Sequence, residues 1–81
     1  MYTIKRERTG RILTTNYDHE VSTLSTLKTR EEADKEIASR QRAQSDHYGS
    51  RAVFEPAKDG FIVTVDDKDY HVTERFYIEK V

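Results

Sequence analysis

The sequence contains no cysteine and no tryptophan, and it has only one proline and three glycines. Without cysteine the chain has neither a disulfide framework nor a thiolate zinc site, which fits a reducing cytosol. No apolar run approaches the length of a membrane span, and no apolar signal-peptide core follows Met1. We therefore expect a soluble, cytoplasmic protein that makes no contact with a membrane.

Recognisable catalytic and metal-binding motifs are missing as well. The three histidines have neither the i, i+4 spacing nor the short-loop spacing of a metal site, and no serine lies in a G-x-S-x-G turn. The three glycines cannot form a phosphate-binding loop. The acidic segment Asp66–Asp69 lacks the spaced ligands, the glycine and the distal glutamate of a calcium loop, which favours a solvated turn. The sequence predicts a protein that is not an enzyme and holds no metal or cofactor.

The 81 residues are enough for a single domain, residues 1–81. Charged residues make up 36% of the chain and mean hydropathy is −0.90, but eight aromatic residues favour a folded protein over a disordered one. The net charge of −1 fits neither a strongly basic nucleic-acid binder nor an acidic mimic of DNA.

The C-terminal segment 60–80 carries most of the large apolar residues and predicts a β-hairpin. In its first half, Phe61 and the two valines that follow at two-residue spacing form one apolar row. In its second half the even positions are apolar and the odd positions polar, which predicts an antiparallel sheet with one covered face and one wet face. Glu74 interrupts the apolar row, and we expect a bulge or bend at Glu74–Arg75.

The N-terminal segment predicts a first hairpin. Residues 2–5 and 12–15 read as its strands, and the Thr-Gly pair within residues 6–11 predicts its turn. Arg6, Arg8 and Arg11 would then lie at the hairpin tip with Lys5 nearby. This basic tip is either simply solvated or a contact for phosphates or for an acidic protein surface.

The middle of the chain predicts one helix. Residues 16–26 are polar and read as a loop, with a short strand at 21–24 as an alternative. Thr29 and Glu32 form a capping box that starts the helix, which we expect to run to about Gln44 before an exit at Ser45–Gly49. A short edge strand at Arg51–Glu55, ended by a proline, could pair between chains, so both a monomer and a dimer are open.

These elements predict an α+β fold: an antiparallel sheet of about five strands with a single α-helix packed on one face, in the order ββαβββ. The expected core consists of eleven residues from all of these elements: Ile4, Ile12, Ala33, Ile37, Val53, Phe61, Val63, Val65, Val72, Phe76 and Ile78.

In its small size, high charge and hairpin–helix–sheet order (2–15, 29–44 and 51–80), the chain resembles the small phage-encoded inhibitors, the anti-CRISPR proteins in particular. The resemblance implies a non-enzymatic binder that docks on an effector complex, in the cytoplasm of the host cell if the chain is phage-encoded. It carries no motif, so no residue role is transferred.

The function that we predict is a small interaction protein that binds a larger protein or nucleoprotein complex through basic surface residues. The alternative is a nucleic-acid-binding accessory protein that uses the basic hairpin tip, with weak contact to nucleic acid. The candidate binding residues are basic side chains of the first hairpin and of the helix end, together with one tyrosine of the type that anchors interfaces: Lys5, Arg6, Arg8, Arg11, Arg40, Arg42 and Tyr77.

Overall fold

The computed structural model describes all residues, Met1–Val81, and shows a two-layer α+β fold. A five-stranded antiparallel sheet has the strand order β2-β1-β5-β4-β3. One helix packs on one face of the sheet, as the sequence predicts. The elements are β1 (Tyr2–Ile12), β2 (Thr15–Leu27), α1 (Arg30–Tyr48), a 3₁₀ turn (Gly49–Arg51), β3 (Ala52–Ala57), β4 (Gly60–Asp66) and β5 (Tyr70–Lys80).

The first hairpin is much longer than its sequence indicates. The Thr-Gly pair is not its turn, because β1 continues through it to Ile12 and the chain reverses at Leu13–Thr14. Gly10 has φ 126°, and a Cβ there would lie 2.0 Å from the carbonyl oxygen of His71 on the neighbouring strand. The glycine therefore permits a close approach between two strands.

Strand β2 occupies residues predicted to be a loop. Its polar residues pair with β1 along the edge of the sheet, with irregularities at Leu24 and near Asp18–His19. An edge strand has a neighbour on one side only, and most of β2 is exposed or half-buried. Its sequence therefore lacks the alternation of apolar and polar residues by which a strand is recognised.

The helix begins as predicted and ends later. Thr29 is the N-cap, and its hydroxyl accepts the backbone N–H of Glu32 at 3.1 Å. The helix runs four residues past Gln44, to Tyr48, because Tyr48 packs into the core; Gly49, at φ 59°, then ends it.

The core lies between the helix and the helix-side face of the sheet. Its largest cluster has Tyr48, Phe61 and Phe76 with three valines of β4 and β5, and a smaller cluster has Ile4, Ala33 and Ile78. Ala33 is fully buried, so the helix backbone comes close to the sheet. Of the predicted core, Ile12 and Ile37 are only partly buried.

Two local predictions about strands are wrong. Val53 is 60% exposed because its position in β3 points it away from the helix, while Phe54 next to it packs on the core. Glu74–Arg75 forms no bulge, since β5 pairs without a register shift with both of its neighbours. The strand β3 also continues through Pro56 to Ala57.

The structure contains no helix that is both long and apolar enough to span a bilayer.

Candidate functional site

The single helix leaves the other face of the sheet uncovered, and this open face is the candidate site. Residues directly opposite on antiparallel strands project to the same side, so the register defines its members. One row crosses all five strands: Val21, Glu7, Arg75, Ile62 and Glu55. The remaining members come from β1, β5, β4 and β3: Lys5, Thr9, Arg11, His71, Thr73, Tyr77, Glu79, Thr64, Asp66 and Val53.

The centre of the open face is a network around Glu7. One carboxylate oxygen of Glu7 lies 3.5 Å from Arg75, and the other lies 3.3 Å from Nε2 of His19. The hydrogen bond with His19, together with a bond from Tyr77 and the charge of Arg75, holds the pKa of Glu7 below its usual value. The guanidinium of Arg75 lies over the ring of Tyr77, 4.2 Å from its centroid.

Tyr77 is therefore fixed on both sides of its ring plane. Burial raises its pKa first, and the charge and hydrogen bond of Glu7 raise it further, so its hydroxyl stays protonated at neutral pH. A tyrosine that is held in one orientation loses little side-chain entropy when a partner covers it. This property suits a contact residue.

The charges of the open face are balanced and mostly paired. Lys5 lies 3.4 Å from Glu79, and His71 lies 2.6 Å from Asp66. The face as defined by register carries three Lys or Arg residues and four Asp or Glu residues. Because cations do not outnumber anions, the face offers no positive field for a phosphate backbone.

Apolar side chains complete the open face. Val53 is 60% and Val21 47% exposed, and they lie on β3 and β2, the two edge strands. Ile62 lies between them on β4 and is half-buried. The face therefore combines exposed aliphatic groups with Tyr77 and Arg75, a mixture typical of protein interfaces.

Arg6 and Arg8 lie elsewhere, which corrects their predicted place at a hairpin tip. Both are in the middle of β1 on the helix side of the sheet, opposite Phe76 and Glu74. Arg8 donates from Nε at 2.8 Å to Oε2 of Glu74, and its Nη2 lies 2.7 Å from the same oxygen. Nε of Arg6 lies 3.7 Å from that oxygen, and Glu74 is 2% exposed.

This Arg6–Arg8–Glu74 cluster is an internal ion pair with aromatic cover. Arg8 also lies over the ring of Tyr17, 4.9 Å from the centroid, and Arg6 lies 3.7 Å from Glu20. Burial disfavours the charge of Arg8, but the bond and charge of Glu74 outweigh it and raise the pKa of Arg8. Since both guanidiniums are engaged with carboxylates, they are poorly placed to bind an external phosphate.

The other predicted binding residues are dispersed. Lys5 and Tyr77 face each other on the open face, and Arg11 lies at the far end of β1, where it donates to the carbonyl of Leu13 at 2.8 Å. Arg40 pairs with Glu36 on the helix at 3.0 Å, and Arg42 is exposed and forms no ion pair. The structure thus brings together Lys5 and Tyr77, brings together Arg6 and Arg8 in a different place, and separates the helix arginines from both.

The acidic turn Asp66–Asp69 behaves as the sequence predicts for a turn. The carboxylate of Asp67 accepts the backbone N–H groups of Asp69 and Tyr70, both at 2.9 Å. These bonds lower the pKa of Asp67, the bond from Asp69 most strongly. Arg51 lies 3.3 Å from the same side chain.

Sequence reasoning did not single out Glu7, Val21, Val53, Ile62 or Arg75 as site residues. A signal for the central pair was present, because Glu7 and Arg75 occupy the polar parity of their strands. Using it requires the pairing of β1 with β5, which are far apart in the chain. Val53 carried a misleading signal, since an apolar residue in a short strand is usually assigned to the core.

Comparison of the chain with protein-family models, with curated proteins and with solved structures finds no match.

Proposed function

We propose that this protein is a non-enzymatic interaction protein that binds a larger protein through the open face of its sheet. The observation that carries the proposal is the central group of the open face, in which Arg75 and Tyr77 are stacked at 4.2 Å and flanked by exposed or half-buried aliphatic residues. Tyrosine and arginine are the residue types that most often anchor protein interfaces. The cytoplasmic location expected from the sequence belongs to this proposal.

The charge pattern of the open face supports a protein partner over a nucleic acid. Protein interfaces place charged residues in complementary arrangements of both signs, as Lys5–Glu79 and Arg75–Glu7 offer. Nucleic-acid affinity rests instead on cations that neutralise phosphates. Pairs that already exist in the free protein also reduce the cost of covering each charge.

The test compares two variants in capture experiments. Tyr77→Ala combined with Val53→Asp removes the aromatic anchor and places a charge in the exposed aliphatic group, while Lys35→Glu reverses a charge on the outer side of the helix as the control. We expect a protein that is retained by the wild type and by Lys35→Glu to be lost from the double variant. Equal retention by all three would show that the open face is not the binding surface.

Thermal unfolding of each variant, followed by circular dichroism, separates loss of binding from loss of fold. Val53 is exposed and Lys35 is exposed, so both substitutions leave the core untouched. Arg8→Glu is unsuitable for such a test, because it would place a second carboxylate against buried Glu74.

Nucleic-acid binding is the second candidate, and one observation favours it at a different place from the predicted tip. Three lysines that form no ion pair, Lys28, Lys58 and Lys80, follow or precede strand ends at the side of the sheet where the chain begins. Fluorescence anisotropy with labelled duplex and single-stranded nucleic acid tests it. Affinity that falls steeply with salt in the wild type, and is lost when the three lysines become glutamine, would support this candidate.

The resemblance to anti-CRISPR proteins gives the interaction proposal one specific form. In that form, the partner is an effector complex and binding blocks the entry or cleavage of nucleic acid. This stays a prediction, and inhibition of a purified effector nuclease by the wild type, but not by the Tyr77→Ala/Val53→Asp variant, is its test.

A further inference from the structure

The outer edge of β2 is the longest unpaired edge of the sheet. β2 has 13 residues and is the first strand in the sheet order, so only β1 pairs with it. The opposite edge, β3, has six residues and contains Pro56, which cannot donate a hydrogen bond. Short strands and prolines protect an edge, while a long edge is a template for another strand.

The second half of this edge lacks charges. Residues 21–27 read VSTLSTL, with no charged residue, glycine or proline, and β-branched residues at three of the seven positions. Lysine and glutamate are the usual means by which an edge strand resists pairing with another chain. These seven residues contain neither.

The charges on either side of this segment are of opposite sign. Asp18 and Glu20 precede it, and Lys28 and Arg30 follow it. If two copies pair antiparallel about a two-fold axis at Leu24, residue 20 of one copy lies opposite residue 28 of the other, and residue 18 opposite residue 30. Each copy then meets its partner with acid opposite base on both sides of an uncharged centre.

We propose that two copies of this chain pair through the β2 edges in this register and form a continuous ten-stranded antiparallel sheet. The self-complementary charges argue for a second copy as the occupant, because a two-fold axis uses each contact twice. The dimer would carry both open faces on one extended sheet surface, so the inference goes beyond the proposed binding function.

The bulge at Leu24 lies on the proposed axis. Ile4 pairs with Ser25 and Lys5 with Thr23, which leaves Leu24 as the extra residue, and its side chain packs on both core clusters. A bulge disrupts regular pairing locally and bends the strand. The main-chain bonds between copies therefore form on both sides of the axis, at residues 20–23 and 25–28. An edge contact of this length is small, so the dimer is weak.

Pulsed electron–electron resonance on spin-labelled cysteine variants tests the proposal, and the absence of native cysteine makes the labelling specific. Val21→Cys and Val53→Cys form a matched pair, because both valines are exposed on the open face and lie on opposite edges. With a strand rise of about 3.4 Å, the two labels at residue 21 lie about 20 Å apart in the dimer. The labels at residue 53 are separated by nine strand spacings and lie on the order of 50 Å apart.

Sedimentation equilibrium from micromolar to millimolar protein tests the register. Lys28→Glu places a carboxylate opposite the partner's Glu20 twice per dimer and is expected to weaken dimerisation about tenfold. Lys58→Glu, the same change at the β3–β4 turn, is expected to have no effect, and Glu20→Lys combined with Lys28→Glu is expected to restore dimerisation.

Each result has a defined meaning. A short distance at residue 21 together with the response to Lys28→Glu supports the proposal. A monomer at every concentration, a short distance at residue 53, or a dimer that is indifferent to Lys28→Glu overturns it. Circular dichroism of each variant confirms that the fold is retained.

Discussion

Replacement of Arg8 by methionine should destabilise the protein more than any comparable change at another arginine. Methionine keeps the length and packing of the arginine stem but removes both contacts with Oε2 of Glu74. Glu74 is 2% exposed and would keep only Arg6, whose Nε is 3.7 Å away. Breaking a buried ion pair by removing one partner costs about 3–5 kcal/mol, and the remaining arginine favours the lower end, about 3 kcal/mol.

Thermal unfolding followed by far-ultraviolet circular dichroism measures this loss. For a domain of this size each kcal/mol changes Tm by about 4–8 °C, so a loss of about 3 kcal/mol lowers Tm by about 12–24 °C. Arg75→Met is the matched control on the adjacent strand. Arg75 is 41% exposed and lies 3.5 Å from Glu7, so its removal should cost less than about 1 kcal/mol.

A double substitution separates the charge from the packing. Arg8→Met combined with Glu74→Leu removes the buried carboxylate together with its main partner, and we expect most of the lost stability to return. Two results would refute the reasoning: an Arg8→Met variant as stable as Arg75→Met, or a double variant no more stable than Arg8→Met alone. Either would mean that Glu74 does not depend on Arg8 in the folded protein.

Three further predictions concern the helix cap, the first turn and two tyrosines. Thr29→Ala removes the hydroxyl that accepts the N–H of Glu32 and should cost about 1 kcal/mol in urea unfolding, whereas Thr29→Ser should cost little. Leu13 has φ 55° and is 54% exposed, so Leu13→Gly should raise stability by a few tenths of a kcal/mol, and a loss above about 1 kcal/mol would contradict the assigned turn. Burial, followed by nearby carboxylates, raises the pKa of Tyr48 and Tyr77, so in an ultraviolet titration both should ionise after the other three tyrosines. Because the folded state favours their neutral form, the stability that they contribute is fully present below about pH 10 and is lost as the pH rises through their folded-state pKa; Tyr77→Phe should remove part of this loss.

The C-terminal half of the fold could be predicted because its signals are local. Phe61, Val63 and Val65 alternate with polar or exposed neighbours, and Lys58–Asp59 form the turn before them, so strand, face and turn follow from neighbouring residues. The helix start is local as well, since Thr29 and Glu32 are three residues apart. The confirmed fold class depends mainly on these elements.

The first hairpin could not be predicted in the same way because its determinants are distant in the chain. Gly10 resembles a turn residue until its contact with the backbone of His71 is known. Glu74 resembles an interruption of the core until Arg8, 66 residues earlier, is placed opposite it. The basic tip was therefore wrong for a physical reason: two of its three arginines serve as partners for a buried acid.

The distribution of the cations decides how much of the predicted basic surface is available to a partner. Eight of the fourteen Lys and Arg residues lie within 4 Å of an acidic group in the same chain. The six that remain are Arg11, Lys28, Arg42, Lys58, Lys68 and Lys80, and they lie in turns, at strand ends or on the helix. No two of them are on adjacent positions of one strand face, so they form no continuous track for a phosphate backbone, whose spacing requires several cations in line. A partner that reads both signs of charge and the aliphatic groups of the open face uses far more of what this surface presents than a partner that reads cations alone.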